Sequence, residues 1–336
     1  MGRNDRIKEE TKKKRKKKKK HTGFKILLLI MVILGIVAGV LVYKSNELGG
    51  GLKGLIAATL GHTTETKQNL EKITFLALGK SQNLTDTIIV CSYEPKTQKA
   101  VMLSIPRDTF TGKNKNRATA SDKINALYQM SPQKTLDAVN KITGLDIKYY
   151  AEIDTKSLRK VVDAVGGIYF DVPIDMKYDD TSQNLHINLK KGYQLLNGDK
   201  AEQLVRFRHG NNFSQTYSAE YGEQDLGRMR TQRAFIVEAA KQLLQFKNIF
   251  KIGDFIEIAH ENMHTNIPLD MAKDYIPYVM DLNTDEIQSE MLPGEPEKCN
   301  GVWLYIHDEA KTEEMVQKLF LETTEENQET ETDTQN

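Results

Sequence analysis

Arg206 and Arg208, in the stretch LVRFRH at residues 204–209, are separated by a single residue. In an extended segment side chains alternate, so both guanidiniums would point the same way. Like charges side by side repel unless an anion lies between them. A second cluster follows in QDLGRMRTQ. There Asp225 stands one helical turn before Arg228, and Arg228 shares a face with Gln232 at i,i+4. Asp225 has a simpler alternative reading as a helix cap. From Arg206 to Arg233 the chain carries five arginines and no lysine. Arginine is the planar fork that grips phosphate or carboxylate through two parallel hydrogen bonds. A third candidate is Arg107-Asp108 in SIPRDTF, where Pro106 halts strand pairing. Open α/β sheets tend to place ligands at strand ends, with a surface ion pair as the alternative. Arg107, Arg206, Arg208 and Arg228 meeting in one pocket would suit a pyrophosphate.

These side chains need elements to position them. ITFLALG, DTIIVCSYE and KAVMLSIP are short apolar, β-branched runs, and the turn signal Pro95–Gln98 makes the last two an antiparallel hairpin. DKINALYQM and PQKTLDAVNKITG carry helical spacing, and Gly144 caps the second. IKYYAEID reads as a strand, TKSLRKVVDAVGG as a helix ending at Gly166-Gly167, and IYFDVP as a strand stopped by Pro173. Helices are expected near 199–205, 225–246, 248–259, 269–280 and 309–320, and EIQSEMLPG is strand-like. Strands and helices interleave over roughly 250 residues, which predicts one α/β domain with helices on both sides of a mixed sheet.

The ends of the chain are different in kind. The formal net charge is +1 over 336 residues, but residues 1–23 hold twelve Lys/Arg against three acids. Residues 322–336 are acidic and polar. Neither end can bury enough apolar surface to offset chain entropy, so both are expected to be disordered. Between the basic tail and the rest, Ile26 to Tyr43 is an 18-residue uncharged run, long enough for a membrane-spanning helix at 24–44. A cleaved signal peptide is the rival, but Ala38-Gly39-Val40 is a poor cleavage site. The basic side stays inside. The expected order is therefore a cytoplasmic tail (1–23), an anchor (24–44), a juxtamembrane linker (45–70), an extracellular domain (71–321) and an acidic tail (322–336). A basic run can bind nucleic acid. Beside a span it reads instead as a topology signal touching anionic membrane lipid, so no nucleic-acid partner is expected. Cys91 and Cys299 are the two cysteines, and their spacing alone does not show a disulfide.

TDTIIV, SIPRDTF, DKINALY, VVDAVGGIYFDVP, GYQLLNGDKAEQLVRFRH and DLGRMRTQ occur in that order. Over residues 72–245 the chain resembles the LytR-CpsA-Psr family. That resemblance implies an α/β/α sandwich with a central mixed sheet and a deep apolar cavity for a polyprenyl chain. It implies a phosphotransferase at the outer face of the cytoplasmic membrane. Such enzymes move a glycan polymer from an undecaprenyl-pyrophosphate carrier to a peptidoglycan sugar hydroxyl, assisted by Mg²⁺. By the family pattern Arg107, Arg206, Arg208 and Arg228 hold the phosphates, Gln232 adds a hydrogen bond and Asp225 orients an arginine. Asp86 binds the metal, Asp108 orients Arg107, and Lys123 in DKIN is a further charge.

Three positions depart from that pattern. Ser81 stands where many relatives have a second metal-site acid, Leu84 where many have an arginine, and Thr231 where a second arginine usually precedes the glutamine. A hydroxyl is a weaker Mg²⁺ ligand than a carboxylate. The alternatives to an enzyme are a non-catalytic polyprenyl-phosphate-binding scaffold and a membrane-anchored regulator of wall synthesis.

Overall fold

The computed structural model describes residues 37–64, 70–81, 83–244, 252–280 and 282–322. The chain divides into two units, Met1–Asn69 and Leu70–Asn336. In the first, helical residues 37–47 precede a helix at Gly51–Thr59, and Leu48, Ala57 and Ala58 form a small buried cluster. Among the described residues no helix is long and apolar enough to cross a membrane. Most of the span expected at 24–44 lies outside the described residues, as do the basic tail and all but Glu322 of the acidic one.

The second unit begins with β1 (Ile73–Ser81), β2 (Leu84–Glu94) and β3 (Lys99–Ser104), an antiparallel meander. A short helix, Ile124–Leu127, leads to α1 (Pro132–Thr143). The Ser131 hydroxyl accepts from the Lys134 N–H to open α1, and Gly144, left-handed at φ 70°, closes it. β4 (Tyr149–Asp154) and α2 (Thr155–Ala164) follow, with the Asp154 carboxylate capping α2. Next come β5 (Ile168–Val172), β6 (Met176–Asp180), β7 (Leu185–Leu189) and β8 (Gly192–Leu196). After these the chain forms α3 (Gly198–Arg206), α4 (Gln224–Leu243), α5 (Ile252–Glu261), β9 (His264–Thr265) and α6 (Leu269–Asp274). β10 (Gln288–Met291), β11 (Gly294–Cys299), β12 (Val302–His307) and α7 (Glu309–Val316) complete it.

The central sheet runs β10-β3-β2-β1-β4-β9. It is mixed: β1 pairs parallel with β4 and β10 parallel with β3, while the other neighbours are antiparallel. Register explains its core. Leu76 lies opposite Val90, and Val90 opposite Leu103, so one row of the sheet is apolar. That face packs on Leu136 and Val139 of α1 and on Val316, Leu319 and Phe320 at the C-terminus. On the other face Ile73, Phe75, Tyr93 and Tyr149 meet Met271, Tyr275 and Tyr278. Helices thus cover both faces. Each fully buried aliphatic side chain contributes about 1.5–3 kcal/mol.

A second core stands apart from the sheet. β5 pairs with β8 and β6 with β7, and Phe170, Leu204, Phe207, Tyr217 and Phe235 are buried among them and the adjoining helices. β5 is the strand expected at IYFDVP, but its partner β8, the β6–β7 ladder and the β11–β12 pair are strands that the sequence pattern does not announce; they are only five or six residues long. The single helix expected over 269–280 is two pieces, α6 and Ile276–Val279. Pro277 has no N–H to give and crowds the carbonyl four residues back, so the helix breaks there. Cys91 and Cys299 are both free thiols.

Candidate anion-binding site

The ends of β1 and β3 and the start of β2 lie at the same end of the sheet's central strands. β1 delivers Ser81, β2 delivers Asp86, and the loop after β3 delivers Arg107. At the turn between the first two, the register shifts between Gly79 and Lys80. A side chain at Gly79 would lie 2.8 Å from the Thr87 Cβ, so only glycine lets the two strands close around this bulge. The loop carrying Arg107 is held by the Thr109 N–H, which donates to the Pro106 carbonyl (3.0 Å), and by the Asn125 N–H, which donates to the Arg107 carbonyl (3.2 Å).

The second core supplies the opposite wall. α3 ends at Arg206, and Phe207 turns extended (φ −66°, ψ 131°) with its ring fully buried. Phe207 is thereby the anchor that sets Arg206 and Arg208 on the same side. Arg228 comes from α4. Arg107, Arg206, Arg208 and Arg228 line one cavity of about 190 Å³, together with Ser81, Asp86, Tyr178, Gln183, Leu185, Val205 and His209. The four arginines singled out by type and spacing are brought together.

Asp225 is the hub. Its carboxylate lies 2.6 Å from Arg228 Nη2, 3.3 Å from Arg208 Nε and 3.8 Å from Arg107 Nε. Arg107 also pairs with Asp86. Arg206 donates to Glu202 Oε1 (3.0 Å) and to Gln183 Oε1 (2.9 Å). Asp225 does not cap α4; the N-cap position is Glu223. Three guanidiniums thus face Asp225 and Asp86, while Arg206 is paired with Glu202. Arg228 is 4% exposed. Burial pulls its pKa below the ordinary arginine value, and Asp225 and Asp86 only partly offset this. Burial also opposes the charge on Arg107, but Asp225 and then Asp86 outweigh it and its pKa is raised. Among the described residues, the buried Nε–H groups of Arg107, Arg208 and Arg228 have no aligned hydrogen-bond acceptor. Buried donors without partners are rare in folded proteins and call for an explanation such as a ligand.

Other expected residues stand elsewhere. Gln232 is buried, with its amide donating to the Val205 carbonyl at 2.9 Å, and it is not part of the cavity lining. It thus steadies the segment that carries Arg206. Lys123 pairs with Asp108 at 2.9 Å, and neither lines the cavity. Thr231 is fully buried and donates to the Gly227 carbonyl (2.9 Å), with the Tyr217 and Tyr221 hydroxyls at 3.3 and 3.1 Å. Arg230 lies over the Tyr221 ring, so neither it nor Arg233 replaces the missing arginine in the lining. Besides the aliphatic Leu185 and Val205, three lining residues were not anticipated: Tyr178, Gln183 and His209. Tyr178 and Gln183 arrive on the unexpected β6–β7 ladder and the turn within it. His209 ends the LVRFRH stretch, and its adjacency to Arg208 was the available signal.

The LytR_cpsA_psr family model matches residues 57–321. The chain belongs to this family. A polyisoprenyl-teichoic acid–peptidoglycan teichoic acid transferase, TagU, from Bacillus mycoides (strain KBAB4) is 30% identical over 250 residues, covering 72% of this chain and 74% of that protein. Among solved structures, B. subtilis TagU aligns with a TM-score of 0.53 at 27% identity, over 76% of this chain and 99% of that one. B. subtilis TagV aligns at 0.61 and 24% identity, over 75% and 98%, a likeness of fold. Family membership accounts for the mixed sheet at the centre of the α/β domain.

For a metal, the cavity offers Asp86 and the Ser81 hydroxyl. No group of three or more His, Cys, Asp or Glu that could hold an ion occurs among the described residues. Mg²⁺ needs few protein ligands where substrate phosphates supply the others. One carboxylate and a hydroxyl beside an anion cavity fit that minimum.

Proposed function

We propose that this chain is a phosphotransferase that moves a glycan from a polyisoprenyl-pyrophosphate carrier to a sugar hydroxyl of peptidoglycan. The observation that carries the reading is the single cavity walled by four guanidiniums, three with buried donors awaiting acceptors. A pyrophosphate diester is anionic, which suits a cavity walled by four arginines. The cavity is head-group-sized; ligand pockets for larger molecules run to about 300–1,000 Å³. Its aliphatic wall residues are Leu185 and Val205, which belong to or pack on the second core. In this reading the isoprenoid starts there, and the deep apolar slot anticipated for it remains part of the proposal.

Phosphoryl transfer is mainly positioning and neutralisation of the non-bridging oxygens. Arg107, Arg208 and Arg228, splayed around Asp225, fix those oxygens, and Arg206 closes the far side. Asp225 holds the three forks apart in the absence of substrate. Asp86 and Ser81 would hold Mg²⁺, which when bound adds charge neutralisation at the phosphates. The basic tail and the 24–44 span would place the domain outside the membrane, where carrier and wall are both within reach. TagU's name as a teichoic acid transferase supports a transferase over the scaffold and regulator readings.

The test uses the full chain expressed in a Gram-positive host. Mass spectrometry of copurified lipid should find a polyisoprenyl pyrophosphate, and Arg206→Ala should lose both that lipid and glycan transfer. Transfer by Arg206→Ala at the unaltered rate would reject the site.

A further inference from the structure

We propose that His209 is the general base that takes the proton from the attacking sugar hydroxyl, an inference that rests on the transferase reading above. The reaction needs such a base. The acceptor O–H bond breaks as its oxygen bonds to the glycan-side phosphorus. The P–O bond to the bridging oxygen breaks, and polyisoprenyl phosphate leaves with the electron pair. The released proton must go to a group in the cavity.

Elimination narrows the choice. The Asp86 carboxylate is engaged by Arg107, and Asp225 lies within reach of Arg107, Arg208 and Arg228. A proton on either would dismantle the ion pairs that position the arginines. Guanidinium cannot accept a proton. The hydroxyls of Ser81 and Tyr178 are weak bases near neutrality. Among the lining residues that leaves one imidazole, a ring whose unprotonated nitrogen can accept a proton.

The local geometry prepares the ring for that task. His209 Nδ1 lies 2.9 Å from the Gly210 carbonyl oxygen, which can only accept, so Nδ1 carries the hydrogen and Nε2 keeps its lone pair. Gly210 is itself fixed: its N–H donates to the Gln215 carbonyl at 2.6 Å, and a Cβ there would approach the Lys177 carbonyl to 2.9 Å. The imidazole stacks on Phe213 (centroids 4.2 Å apart, 22° between planes) and meets the edge of Tyr178 at 6.2 Å. To present that ring, Asn212 and Phe213 both adopt left-handed backbone, at φ 54° and 56°. Two consecutive non-glycine residues in that region are strained, and such strain persists at functional sites. The charged groups sharing the cavity with the imidazole are Arg206 and Arg208 from its own segment, Asp86 from β2, Arg107 from the loop after β3, and Arg228 from α4.

The experiment uses the full chain in detergent, a synthetic polyisoprenyl-pyrophosphate disaccharide as donor and a peptidoglycan oligosaccharide as acceptor. His209→Gln should lower kcat about 10²–10⁴-fold with the donor KM nearly unchanged, and the acid-side fall in log(kcat/KM) should disappear. His209→Ala should regain rate as imidazole is added to the buffer, in a saturable manner. A His209→Gln enzyme that keeps the acid limb and a near-normal kcat overturns the base assignment while leaving the transferase reading intact. So does an alanine variant indifferent to imidazole. An unaltered chain that binds the donor and transfers nothing overturns both.

Discussion

Helices α3 and α4 each serve two regions with opposite habits. Toward the second core, α3 buries Leu204 and α4 buries Phe235, and the buried Thr231 of α4 finds a carbonyl and two hydroxyls. Toward the cavity, the same helices present Arg206 and Arg228, and buried guanidinium donors are left without acceptors. One region is held together by apolar packing as folded. The other becomes complete when an anion enters. Among the described residues other buried polar atoms also lack partners, but three guanidinium donors gathered at one cavity mark a ligand's place better than charge alone.

That contrast can be broken by exchanging the kinds of damage. Arg107→Ala removes a fork from the wall. Glycan transfer should fall about 10²–10³-fold, equivalent to about 2.7–4 kcal/mol of transition-state stabilisation, while the melting temperature moves by only a few degrees. A large loss of stability with transfer retained would reverse the assignment of roles. Phe235→Ala should do the opposite. It empties a ring-sized volume beside Phe170, whose ring centroid is 5.7 Å away, and should cost about 3–5 kcal/mol of stability. Urea unfolding should show the shift in midpoint, with donor binding by the molecules still folded close to normal. The smallest effect belongs to a scaffold cap, Asp154→Ala at the start of α2. Burial opposes the Asp154 charge, but the Ser157 backbone N–H and hydroxyl and the Lys156 N–H outweigh it, and the carboxyl pKa is lowered. Its folded pKa thus lies below the unfolded value near 3.9. The contribution, about 1 kcal/mol, is present above that value and is lost as pH falls through the folded pKa. Melting curves of the two proteins should differ at pH 7 and converge once the pH lies below the folded pKa.

The sheet was largely legible in the chain. ITFLALG, DTIIVCSYE and KAVMLSIP alternate or run apolar strongly enough to read as strands, and register then aligned Leu76, Val90 and Leu103. The short ladders β5–β8 and β6–β7 were only partly so. MKYDD at β6 has two acids and one lysine, and its pairing with β7 is fixed by burial of Met176, Leu185 and Ile187 in a core assembled from distant helices. For the same reason Tyr178 and Gln183 could not be assigned to the cavity beforehand. Gln232 shows the reverse limit. Its helical spacing from Arg228 is real, yet its amide is spent on the Val205 carbonyl, because a buried main-chain oxygen at the end of α3 needs a donor there.

By itself the sequence determined the chemistry of the site: arginines in place of lysines, an acid one turn before Arg228, a proline ending the strand before Arg107, and histidine after Arg208. Spacing along a chain fixes which way neighbouring side chains face, so those local relations followed directly. Only the tertiary structure decided that Arg107, Arg208 and Arg228 meet around Asp225, and that Arg206 and His209 line the same cavity. Those relations depend on packing between segments more than a hundred residues apart. Burial of Phe207, Tyr217 and Phe235 sets the distance, and burial is a property of the folded whole.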